Sequence, residues 1–117
     1  MARLRCVFYD PDAVAAESRL SERALEACAR AEVAVFALTE DAVEFEGEAR
    51  GIGFVMRALA LAPEQCIGVG AALAAAPVGT IWVSPLDLEI RGPNVRVAED
   101  GGELLYEAVI SELAQRR

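Results

Sequence analysis

Five short apolar runs, separated by stretches of helical period or by Gly- and Pro-rich turns, constrain this chain more than any other feature of its sequence. Residues 4–9, "LRCVFY", and 33–38, "VAVFAL", have strand character, and the second is apolar on both faces, as in a parallel sheet covered on each side. Between them Leu20, Ala24, Cys28 and Ala31 share one side of a helix that Ser21 is placed to cap. Ile52, Val55, Met56, Leu59 and Ala60 recur at i, i+3, i+4, i+7 and i+8, which predicts a second amphipathic helix closed by Pro63. "CIGVG" at 66–70, "VGTIWV" at 78–83 and "NVRV" at 94–97 supply three more strand candidates, with an Ala-rich helical turn from Ala71 to Ala76. A last helix is expected over roughly 102–115, with Leu105, Val109 and Leu113 on its apolar side. Glu99, Asp100 and Glu103 stand near its positive end, and Arg116 and Arg117 follow its negative end.

This alternation favours an α/β domain of three layers, Rossmann-like, whose mostly parallel sheet has about five strands joined by right-handed crossovers. At 117 residues, 55% of them hydrophobic, the chain suffices for one core, and a single domain over 1–117 is expected. Ligands in such sheets collect outside the carboxyl ends of the strands. That rule singles out Asp10, Thr39, Gly70 and Ser84, which sit at or just past predicted strand ends.

Composition removes several chemistries. The chain has no His, which excludes His-based metal sites and Ser/His or Cys/His nucleophile pairs. Cys6, Cys28 and Cys66 are odd in number and form no Cys-x-x-Cys spacing, so they are expected as reduced core residues. The formal charge is −8 and every basic residue is Arg; with Arg50, Arg57, Arg91 and Arg96 scattered, nucleic acid is not an expected partner. Apolar runs fall short of the ~20 residues that span a bilayer, so no membrane partner is expected. "MARLRCVFYD" does not resemble a secretory leader, and a cytoplasmic location is anticipated.

"VFYDPDAV", residues 7–14, places Asp10 and Asp12 one residue apart where the first strand stops. Such a pair is either a carboxylate site or a polar turn in which Pro11 fixes φ and the Asp side chains cap amides. Thr39 in turn either binds a ligand or caps its strand, and Arg50 either binds an anion or pairs with the acids of "TEDAVEFEGEAR". The acidic run Glu40, Asp41, Glu44, Glu46 and Glu48 has the character of a solvated loop.

Taken in order, these segments resemble the haloacid dehalogenase (HAD) superfamily of phosphohydrolases. "YDPDA" resembles its first motif, "FALTE" its second, and "ARGIGFVMRAL" its Lys-bearing helix region with Arg50 in place of Lys. "APEQCIGVG" is similar to the run entering the fourth motif, and "APVGTIWVSP" with "VRVAEDGGELLYEAVISEL" resembles the end of the sugar-phosphatase branch. The resemblance implies that Asp10 attacks phosphorus to form an aspartyl phosphate and that Asp12 serves as general acid and base. It further implies that Thr39 holds a phosphate oxygen, that Arg50 supplies positive charge, and that Asp10 and Asp12 bind a weakly held Mg²⁺. The implied substrate is a phosphorylated small molecule or protein.

The chain departs from that pattern in three places. Val69 stands where the family carries its fourth-motif acid, and Ala13 and Val14 stand where the family usually has Gly and then Thr or Val, so that the Gly is lost. The ten residues between Thr39 and Arg50 leave no room for the usual helix, additional strand and cap domain, so the cap is expected to be absent and the edge open. The resulting expectation is a degenerate HAD-like domain with little or no phosphatase activity, kept as a binding or assembly module, with a homo-oligomer covering its exposed edges. Two alternatives stand beside it. One is an active Mg²⁺-dependent phosphomonoester hydrolase. The other is a nucleotide-binding domain using "GVGAAL", in which only Gly68 and Gly70 of a GxGxxG pattern are present.

Overall fold

The apolar runs become strands wherever their alternate residues can be buried on two sides. A computed structural model describes residues 3–14, 18–87, 89–90, 92–98 and 103–115. The elements are β1 (Cys6–Tyr9), α1 (Arg19–Arg30), β2 (Ala34–Thr39), β3 (Ala42–Phe45), β4 (Glu48–Arg50), α2 (Ile52–Ala58), β5 (Cys66–Val69), β6 (Thr80–Val83), β7 (Val95–Val97) and α3 (Leu104–Gln115). Arg91, Glu99, Asp100, Arg116 and Arg117 lie outside the described residues. Among those residues no helix is long and apolar enough to cross a membrane.

The strands form a mixed sheet in the order β4-β3-β2-β1-β5-β6-β7. From β2 to β7 neighbours are parallel, with Val7 opposite Val35 on one side and Ile67 on the other. These five account for the about five strands expected, but the sheet has seven, because the segment after Thr39, expected to leave no room for an additional strand, contributes β3 and β4. The chain winds from β1 outward to β2, returns through α2 to the other flank of β1 at β5, and continues outward. The carboxyl ends of β1 and β5 therefore flank a topological switch point.

Alternation splits the core into two layers. Val7, Ile67, Val69 and Trp82 pack toward α1 and α3, with Ala24, Cys28, Leu105 and Val109. Cys6, Phe8, Val43, Ile81 and Val83 pack toward α2, with Val55, Met56 and Leu73. Helices on both faces give the three-layer α/β architecture. Phe8, which is fully buried, stacks on Phe36 with ring centroids 5.6 Å apart.

Three local expectations require correction. The acidic stretch after Thr39 is no solvated loop, because it forms β3 and β4, antiparallel to β2 and to each other. Two-residue turns make this possible in so short a segment. Glu40 takes φ 58° in the first turn, and Glu46 and Gly47 take φ 53° and 81° in the second, the double positive φ that matches hairpin twist. Val43 and Phe45 point inward while Glu44 faces water, so strand alternation is present beneath the charges.

The cap of α1 is Ser18 rather than Ser21. Ser18 Oγ accepts from the Ser21 amide at 3.1 Å and donates to Glu103 Oε2 at 2.6 Å, tying the start of α1 to the residue before α3. Ser21 is buried in the first turn. Finally, α2 stops at Ala58, ahead of Pro63, where Ala60 adopts φ 54° and Leu61 N–H donates to the Met56 carbonyl.

Candidate functional site

Asp10 is the first residue beyond β1, the central strand, and its amide donates to the Val69 carbonyl at 2.9 Å. The β1–β5 ladder thus carries Asp10 to the rim at the switch point. Its Oδ1 accepts from the Asp12 amide at 3.0 Å, and its carbonyl accepts from the amides of Ala13 and Val14. The side chain closes an Asx turn across Pro11 that turns the chain toward α1. Gly70, at φ 114°, presses on this turn. A Cβ there would lie 2.9 Å from the Asp10 Cβ and 3.1 Å from that of Ala13, so only glycine permits the approach.

Asp10, Pro11 and Asp12 line a cleft of about 390 Å³ with Leu38, Thr39, Glu40 and Ala72. The fold therefore brings together three of the four residues singled out as catalytic: Asp10, Asp12 and Thr39. Arg50 is not among the lining residues. It ends β4, pairs with Glu48, and lies with its guanidinium carbon 4.7 Å from the Phe54 ring centroid. Ser84 is engaged within its own turn, donating to Asp87 Oδ2 at 3.1 Å. Glu40 and Ala72 join the cleft unannounced by the sequence. Glu40 arrives because the tight β2–β3 turn holds it beside Thr39, and only recognition of that turn could have found it.

Electrostatically the cleft is one-sided. Among the described residues that line it, Asp10, Asp12 and Glu40 bring negative charge and none is basic. Val69, at the end of β5, is fully buried in the layer facing α1 and α3. After β5 comes a three-residue 3-10 turn, Ala71–Leu73, with Leu73 buried, so "GVGAAL" opens no α-helix whose amino end could hold a phosphate.

Asp10 and Asp12 are the residues that would meet Mg²⁺. Asp10 already spends Oδ1 on the Asp12 amide, and among the described residues no three Asp, Glu or Cys side chains gather into a metal-holding group. Mg²⁺ requires six oxygens in near-octahedral array, commonly one or two carboxylates completed by water and substrate phosphate. Asp10 and Asp12 would supply two such carboxylates, and water and a substrate phosphate would have to complete the shell.

The chain matches no family model, no curated protein and no solved structure in the comparisons made. Its class is the one the topology defines, a three-layer α/β domain with a mixed seven-stranded sheet and a cleft at the switch point.

Proposed function

We propose that this chain is a degenerate HAD-like phosphohydrolase domain with little or no phosphatase activity, kept as a binding or assembly module. The observation that carries this reading is the charge of the cleft. A phosphate dianion entering between Asp10, Asp12 and Glu40 meets like charge from three lining residues and no basic partner among them. The arginine at the position of the family's Lys is held by Glu48 and Phe54 at the sheet edge. The fourth-motif position offers the buried Val69.

A second reading is favoured by the convergence of Asp10, Asp12 and Thr39 on one cleft. In it the substrate is a phosphorylated small molecule or protein. An Asp10 carboxylate oxygen forms a bond to phosphorus as the bond to the leaving oxygen breaks, Asp12 gives that oxygen its proton, and water then releases phosphate with Asp12 taking the proton back.

One experiment separates the two. The purified chain and Asp10→Asn are incubated with a generic phosphomonoester and Mg²⁺, and phosphate release is measured. Equal background in both supports the degenerate module; turnover lost in the variant establishes the hydrolase and overturns the module.

A further inference from the structure

The sheet ends at β4, and that edge is complementary to itself. β4 pairs with β3 alone, and Glu48, Ala49 and Arg50 are all exposed. We propose that a second copy of this chain adds its own β4 to this edge, antiparallel and centred on Ala49. That register pairs all three positions: Glu48 of each copy lies opposite Arg50 of the other, and Ala49 meets Ala49.

Hydrogen-bonding geometry agrees with this centre. Phe45 and Glu48 face each other across the two-residue turn, and Val43 faces Arg50. Residues along an antiparallel strand alternate between neighbours on either side, so Glu48 and Arg50 bond toward β3 while the N–H and C=O of Ala49 point outward. Two Ala49 residues on a two-fold axis can then exchange a pair of hydrogen bonds.

Side-chain placement agrees as well. Val43 and Phe45 belong to the layer facing α2, so their cross-strand partners Arg50 and Glu48 project on that side too. There the Arg50 guanidinium lies over Phe54, which is 41% exposed. Joining two copies assembles four charges of alternating sign beside two exposed rings. The net charge of −8 opposes association at long range, but repulsion beyond about 8 Å is screened at physiological salt, which leaves the contact pairs to decide.

The opposite edge lacks this complementarity. Among the described residues β7 pairs only with β6, and full antiparallel pairing of Val95–Val97 with its own copy sets Arg96 against Arg96. The inference rests on the β4 edge and is independent of the chemistry of the Asp10 cleft.

Sedimentation velocity at physiological salt, over roughly three decades of concentration, tests it. The wild-type chain is expected to shift reversibly from monomer to dimer. Glu48→Arg sets arginine against arginine and should move that transition at least ~10-fold higher in concentration, a change of about 1.4 kcal/mol. Glu48→Arg combined with Arg50→Glu restores opposite charges across the axis and should bring the dimer back. Ala49→Pro removes the outward N–H without removing a donor to β3, and should abolish the dimer. Fluorescence of Trp82, in β6 on the far side of the sheet, reports whether each variant is folded. A wild-type chain that stays monomeric throughout overturns the proposal, as does a dimer unchanged in Glu48→Arg or a folded double variant that fails to recover.

Discussion

The Trp82 indole N–H donates to Glu112 Oε1 at 3.1 Å, joining β6 to α3 within the buried layer. Glu112 is 3% exposed and Trp82 8%, so this carboxylate anchors the last helix from inside the core. Glu112→Leu removes the acceptor and leaves the indole N–H buried without it. The cost of an unsatisfied buried donor is about 1–3 kcal/mol. Glu112→Gln keeps an acceptor and should lose less than half as much. Urea unfolding followed by emission of Trp82, the chain's single tryptophan, measures both; equal losses would sink this account of the pair.

Gly70→Ala tests the packing at the switch point. The added methyl would sit within 3.1 Å of both Asp10 and Ala13 at a positive φ, so the turn after β1 must move. Strain of this kind costs about 1–3 kcal/mol. A lowered midpoint in thermal unfolding is expected, together with shifted amide resonances at Asp10 and Asp12.

Ser18 caps α1 and binds Glu103 at once, which separates helix capping from electrostatics. Ser18→Ala should cost about 1 kcal/mol from the lost cap. Asp caps helices as well as Ser does in general, yet here it would set a second carboxylate against Glu103. Ser18→Asp is therefore expected to be no more stable than Ser18→Ala at pH 7. Denaturant midpoints of the two variants at pH 7 decide the point: a higher midpoint for Ser18→Asp would refute it.

The buried thiols predict an alkaline loss of stability. A hydrogen bond with Cys66, followed by burial, raises the Cys6 pKa, and burial pushes that of Cys28 up to about 11 from an ordinary 9.0. Between those pH values the unfolded chain gives up the Cys28 proton and the native one keeps it. The contribution is thus fully present below pH 9.0 and falls as pH rises toward 11, at up to ~1.4 kcal/mol per pH unit for each thiol. Cys28→Ala should flatten this slope. A thiol reagent at pH 8 should leave all three cysteines unmodified in the native chain and label them in urea.

How much of this was legible depended on whether the burying pattern ran uninterrupted. Cys6–Tyr9, Ala34–Thr39 and Cys66–Val69 are continuous apolar runs because parallel strands at the centre are covered on both faces, and they announced themselves. The β3–β4 hairpin did not. Its inward residues Val43 and Phe45 are separated by Glu44, and only Gly47 marks either turn as one needing positive φ, since Glu40 and Glu46 adopt it against type. That Asp10 and Thr39 share one rim was legible because the end of a strand is readable from its composition, and Asp12 follows Asp10 into the same cleft. For Arg50 the sequence left two readings open, and the pairing with the neighbouring acids is the one observed, with Glu48 as partner; that the pair sits at a sheet edge was not legible, because it follows from the unseen hairpin.

The reversal of winding after α2 also bears on synthesis. β1 is made before the other described strands of this sheet, yet it occupies an interior place in it, and its second neighbour, Cys66–Val69, is made only after two helices and three strands. The flank of β1 that Cys66–Val69 covers in the finished sheet can be closed only once residue 69 has been made.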